Sequence, residues 1–172
     1  IIPFLVTVAS VWAKPEVIKK IIRIYSIVII AVVAIIFSVD LELYSYWNFR
    51  LDTTPLAFLK SPKNAMASIT VSMFIRQLII IPVYFIILYF IYRKLVENTI
   101  TTFRPVMWAV SIVLVVASAL LFLPIRGGLS DATMNVGWVY FSDNMFLNHT
   151  AINPFWNFLN SLFRQEDHTG QY

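Results

Sequence analysis

Cysteine is absent from this chain of 172 residues, and charge is scarce: only 13% of the residues are Asp, Glu, Lys or Arg. Without cysteine there is no disulfide, no thiolate metal site and no Cys nucleophile. A soluble domain carries about 25% charged residues. Here hydrophobic residues reach 59% and mean hydropathy is +0.77. Such a chain lacks the polar groups to cover a water-facing surface, so lipid is the expected solvent. Histidine occurs twice, at His149 and His168, with no His-x-His or Glu-x-x-His spacing, so no metal site is expected. There is no Gly-rich phosphate loop and no Gly-x-Ser-x-Gly elbow, hence no assembled active site or bound cofactor. The net charge is +4, but the bases cluster at the ends of apolar runs. That is a membrane protein's pattern and argues against a nucleic-acid partner.

What is present is a series of apolar runs. They predict an all-α, polytopic transmembrane helix bundle with four spans, at about residues 1–13, 24–43, 66–92 and 105–125. Ile24–Val39 is uncharged between Arg23 and Asp40, and Pro105–Ile125 is uncharged between Arg104 and Arg126. A hydrocarbon core of about 30 Å needs about 20 helical residues. The last run meets this outright. The second meets it if Arg23 snorkels and the helix continues toward Leu43. Ile and Val would favour strands in water, but a lone strand in lipid leaves its backbone unpaired, so helices are expected. The chain opens inside an apolar run with no basic region before it. That predicts a fragment whose first span is truncated, rather than a signal peptide.

Orientation follows from the bases. Lys14, Lys19, Lys20 and Arg23 face one acid, Glu16; Arg93, Lys94 and Arg104 face Glu97. Two spans separate these short loops, so they share a side, and the positive-inside rule makes it cytoplasmic. Residues 40–68 and 126–172 are then exterior. This predicts a multi-pass membrane protein with its C-terminus outside.

The exterior loop Asp40–Ser68, DLELYSYWNFRLDTTPLAFLKSPKNAMAS, has three acids, three bases, five aromatics and two prolines. That is too much chemistry for a simple connector. Thr53-Thr54-Pro55 predicts a short interfacial helix to Leu59. Ser61-Pro62 predicts a helix start that runs on into the third span. After Gly127-Gly128, the segment 126–172 is rich in aromatics and Asn, suiting the headgroup layer. Asn153-Pro154 predicts an amphipathic helix to about Phe163, with Phe155, Phe158, Leu159 and Leu162 on one face. RQEDHTGQY at the end reads as a linker to a further domain.

Few residues are candidates for chemistry. Arg76 has two readings: a lipid headgroup contact in an outward-facing cavity, or an interfacial residue of a span that begins near Gln77. Arg50 and Arg126 read as interfacial anchors or as receptors for an anionic lipid phosphate. Asp40 and Glu42, two apart, do not share a helical face. Ion pairs with Arg50, Arg76 or Arg126 are expected of them rather than acid–base catalysis. Asn148-His149-Thr150 fits the glycosylation acceptor pattern, relevant only in a eukaryotic secretory host.

Two stretches carry a family resemblance. Asp40, Glu42, Tyr44, Phe49, Arg50, Asp52, Pro55 and Lys60 lie in the first; Arg126, Gly127, Gly128, Asn135, Phe141, Asn148, Asn153 and Pro154 lie in the second. Together they resemble the membrane portion of lipoteichoic-acid-synthase-like proteins, in their Bacteroidetes forms. These are phosphoglycerol transferases of the sulfatase/alkaline-phosphatase superfamily. The resemblance implies five spans followed by an exterior domain with a metal-bound Thr nucleophile, the metal being Mn or Zn. No Thr here lies in the nucleophile motif, so the implied role of this chain is to anchor that C-terminal catalytic domain and present membrane lipids. The residues alone leave two alternatives: a fragment of a transporter or channel, and a purely structural anchor of a sulfatase-like hydrolase. The lack of charge within spans 2 and 4 argues against the transporter.

Overall fold

In this computed structural model the described residues are 6, 9, 13–59, 63, 69–97, 107–126, 128–129 and 134–169, side chains of 59, 125 and 164–169 excepted. Every regular element among them is helical, with no strand. The α-helices are α1 (Pro15–Trp47), α2 (Thr54–Leu59), α3 (Val71–Tyr92), α4 (Trp108–Leu120), α5 (Phe122–Arg126), α6 (Met145–Ala151) and α7 (Pro154–Thr169). A π-helical turn, Arg93–Glu97, extends α3, and a 3-10 turn spans Val136–Val139. Contacts divide the chain into two units: Ile1–Ile29 with Tyr89–Asn135, and Ile30–Leu88 with Val136–Tyr172.

Two helices are long and apolar enough to cross a membrane: α1, and α3 with its π extension to Glu97. At 33 residues, α1 is about 50 Å long, well beyond a hydrocarbon core of about 30 Å. Its basic first turns and its last turns from Asp40 to Trp47 therefore extend past the apolar run. Pro15 at the first helical position has the φ a helix start requires and no N–H left over. The helix stops at Asn48, whose φ of 54° lies in the left-handed region that Asn tolerates better than most residues.

The α3 helix begins later than expected. Ile69 and Thr70 are not helical, so no helix runs unbroken from Pro62 into the span. The physical cause is Thr70, which caps α3: its Oγ1 accepts from the Met73 N–H at 3.3 Å. Residues 60–62, where the Ser61-Pro62 cap was expected, lie outside the described residues. Within α3, Pro82 has no N–H for the Leu78 carbonyl, a gap that spanning helices tolerate. Phe74, Leu78, Ile79, Ile86 and Phe90 are all exposed. An apolar surface of this extent is one that lipid covers.

The apolar run at 105–125 is not one uniform helix. The α4 helix has 13 residues, and Leu121, in a turn, separates it from α5. Pro124 sits inside α5 and cannot donate to the residue 120 carbonyl, which favours a break there. The first run, 1–13, falls almost wholly outside the described residues. In the first unit, Glu97 of the π turn pairs with Arg23 at 3.0 Å and Arg93 at 4.0 Å, tying the basic end of α1 to that of α3.

The Asn48 conformation has a direct test. Asn48→Gly should leave thermal stability in detergent nearly unchanged, while Asn48→Val should lower it by about 1–2 kcal/mol. Equal behaviour of the two variants would remove the left-handed stop as the reason α1 ends there.

Candidate functional site

All of the site described here lies in the second unit. It is built around Asp40, the carboxylate that interrupts the apolar face of α1 and is 1% exposed. An ionised carboxylate this deep is strongly penalised unless every lone pair finds a donor. After α1 stops at Asn48, the chain reverses and brings two donors back. Arg50 Nη1 reaches Asp40 Oδ2 at 2.7 Å, and the Leu51 N–H reaches Oδ1 at 2.8 Å. Asp40 is thus an ion-pair partner and a backbone clamp at once.

Arg50 is itself mostly enclosed, with 17% of its side chain exposed. Its Nε donates to the His149 carbonyl at 2.7 Å, and the guanidinium lies 5.2 Å over the Tyr44 ring. Tyr44 Oη shares a hydrogen bond with His149 Nδ1 at 3.1 Å, and the two rings meet edge to face. Asn157 of α7 donates from Nδ2 to the Leu51 carbonyl at 2.9 Å. One arginine and its neighbours therefore bind α1, the reversal after it, α6 and α7 into a single knot.

The asparagines explain why the segment after residue 140 holds its shape. Asn148 is buried, and its Oδ1 accepts from both the Phe141 and Ser142 N–H at 2.9 Å, while Nδ2 donates to the Ser142 carbonyl. Its amide is committed to the fold, so the Asn148-His149-Thr150 pattern is not an available glycan acceptor in the folded chain. Asn144 caps α6 through the Phe146 N–H at 2.9 Å. Asn153 caps α7 through Phe155 and Trp156, with Pro154 at the first helical position. Asp52 similarly accepts from the Thr54 N–H at 2.8 Å, starting α2. Phe58 of α2 stacks on Trp47, which stacks on Phe49.

A second polar cluster joins α1 to α3. Glu42 pairs with Arg76 through a two-nitrogen contact. Gln77 accepts from the Ser38 hydroxyl and donates from Nε2 to the Ser38 carbonyl at 3.2 Å and to Glu42 at 3.4 Å. Interhelical hydrogen bonds of this kind hold spanning helices where hydrophobic contact alone gives no preference over lipid. Arg76 remains half exposed.

The sequence candidates thus separate. Asp40 meets Arg50 and Glu42 meets Arg76, so these two arginines are each already bound to a carboxylate. Arg126 ends α5 in the other unit, exposed. Asp40 and Glu42 take separate partners and form no acid–base pair. Sequence reasoning gave Ser38 and Asn157 no part, and it named Tyr44, Gln77 and Asn148 without the bonds they make here. The only advance signal was the presence of polar residues at the margins of apolar runs. No group of three His, Asp or Glu occurs among the described residues, and His149 spends Nδ1 on Tyr44.

Two cavities adjoin these clusters. One of about 380 Å³ is lined by Phe37, Asp40 and Leu41 of α1, by Arg50, by Tyr84 of α3 and by residues 150–154. The second, about 280 Å³, is an apolar groove between α1 and α3 beside Glu42 and Gln77.

Comparison with protein-family models, curated proteins and solved structures gives no match. The family resemblance therefore rests on the residues quoted for it.

The Asp40–Arg50 clamp predicts a cost for removing either partner. Asp40→Asn should destabilise the chain in detergent by about 3 kcal/mol or more, and Arg50→Lys should not restore it, since one ammonium cannot reach both Asp40 and the His149 carbonyl. Thermal unfolding followed by circular dichroism measures both; a melting curve unchanged in Asp40→Asn would show the clamp to be dispensable.

Proposed function

We propose that this chain is the membrane-anchoring part of a phospholipid-headgroup transferase of the sulfatase/alkaline-phosphatase superfamily, acting on phosphoglycerol. In this reading it is a four-span protein of a bacterial cell membrane. The Trp108–Arg126 segment, about 28 Å as a helix, serves as the last span. The rim bearing Asp40, Arg50 and α7 faces outward, and the catalytic domain follows Tyr172.

The observation that carries the reading is the joining of the two stretches on which the resemblance stands. They are about a hundred residues apart in sequence. Yet Arg50 and Tyr44 of the first bond His149 of the second, and Asn157 bonds Leu51. A purely structural anchor needs only spans. A folded polar rim on top of them supports a surface that positions something else. The described residues do not fit a catalytic divalent metal, having no carboxylate–histidine cluster. In this reading metal and nucleophile belong to the catalytic domain, and this chain's residues hold that domain at the bilayer. Arg126, exposed at the end of α5, has room for a lipid phosphate.

The full-length protein in vesicles containing phosphatidylglycerol should release diacylglycerol in a manner dependent on a divalent metal. Release of neither diacylglycerol nor the product of a soluble phosphodiester or sulfate ester would remove the enzyme reading. Arg126→Gln should slow turnover on the lipid while sparing the soluble phosphodiester. Equal loss on both substrates would sink the lipid-contact role.

The topology is testable because the chain has no cysteine of its own. A single cysteine at Phe163→Cys should react with a membrane-impermeant maleimide on intact cells, and one at Lys94→Cys should react only after lysis. The reverse pattern would invert the proposed orientation.

A further inference from the structure

We propose that the cavity beside Asp40 is a binding site for one anionic phospholipid molecule, holding its phosphate and glycerol backbone, with the phosphate on Nη2 of Arg50. The inference rests on the membrane placement of α1 and α3 and not on any transfer chemistry.

The lining combines the two characters of an amphiphile. Phe37 and Leu41, one turn apart on α1, and Tyr84 of α3 line it from the two helices able to cross a membrane. Asp40, Arg50, Thr150 and Asn153 bring polar groups to it, interspersed with Ala151, Ile152 and Pro154. A water-soluble metabolite has no use for the apolar part of this lining, and a hydrocarbon chain has none for the polar part. The volume of about 380 Å³ is in the range of small-molecule sites and equals roughly a dozen waters. It is smaller than a pair of acyl chains, so it fits a headgroup with its glycerol. The chains would leave along the exposed apolar surface of α3, where Val83 and Ile87 flank Tyr84.

The charge argument comes from how Arg50 divides its donors. Nη1 goes to Asp40 and Nε to the His149 carbonyl. Among the described residues Nη2 makes no hydrogen bond. A guanidinium held rigid by two partners, largely enclosed and stacked on Tyr44, presents its remaining nitrogen in a fixed direction. An oxyanion gains a short charge-assisted bond there at little further entropic cost. Asp40 is occupied on Nη1 and by the Leu51 N–H, so it does not need to be displaced.

The test uses the protein extracted from vesicles of equal phosphatidylglycerol and phosphatidylcholine into mild detergent, with retained lipid counted by native mass spectrometry. One phosphatidylglycerol per chain should be retained. Vesicles doped with diacylglycerol, which has no phosphate, should leave none in its place, and free glycerol phosphate should not compete. Leu41→Trp and Ala151→Phe fill the cavity from two different elements and replace neither member of the Asp40–Arg50 pair. Each should lower retention about tenfold, with helicity checked by circular dichroism. Retention of phosphatidylglycerol in either filled variant that remains helical would overturn the site. Equal retention of diacylglycerol would overturn the phosphate contact, and competition by free glycerol phosphate would overturn the role of the apolar lining. The wild-type comparison of lipids decides even if a filled variant does not fold. Selective retention without diacylglycerol release by the full-length protein would leave this site standing and remove the transferase. Release without retention would do the opposite.

Discussion

A carboxylate placed on the apolar face of a long hydrophobic helix must be neutralised and fully hydrogen-bonded, and the second unit is organised around that requirement for Asp40. The demand is not met within α1: of the residues one turn away, Ile36, Phe37 and Leu43 carry no donor, and the Tyr44 hydroxyl is bonded to His149 Nδ1. The chain must end the helix, reverse, and return an arginine and a backbone N–H to the same spot. That explains a left-handed Asn48 two residues before Arg50. Once Arg50 is committed, its second nitrogen is free to fix α6 through the His149 carbonyl, and α7 follows through Asn157. Tertiary order thus spreads from one buried charge.

The unit buries polar side chains alongside the apolar Ala34, Ile36, Leu51 and Ile152. Its buried positions include Ser38, Asp40, Thr53 and Asn148, while large aliphatic side chains of α3 point outward. In lipid this inversion is reasonable. Apolar surfaces gain little by meeting each other rather than acyl chains, and polar contacts supply the specificity. The Ser38–Gln77–Glu42–Arg76 cluster serves the pairing of α1 with α3 in that way. The knot on Arg50 serves the rim above it. Beside Asp40 and Arg50 they leave a cavity whose lining is part apolar and part polar.

Much of the helical architecture was legible from the sequence because its signals are local. Apolar length announces α1 and α3, and Thr54-Pro55 and Asn153-Pro154 announce α2 and α7. Boundaries set by competition between local signals were not legible. Thr70 captures the start of α3 although Ser61-Pro62 offers an earlier cap, and Pro124 divides a run that hydropathy reads as continuous. The site was legible in its members but not in its pairing. Charge counting offers Asp40 and Glu42 three arginines and cannot choose among them. The choice depends on where Asn48 turns the chain, which is a tertiary fact. The roles of Asn148 and Asn157 were hidden for the same reason: an amide in a loop is unremarkable until its partners are known.

The central claim is that Asp40 holds the rim to the spanning helix. Hydrogen exchange on Asp40→Asn in detergent tests it most directly, read peptide by peptide against the parent chain. The account predicts faster exchange together in Leu51–Leu59, Met145–Ala151 and the first two turns of α7, with the apolar stretches of α1 and α3 still protected. Loss of protection confined to Leu51, with α6 and α7 unchanged, would contradict it.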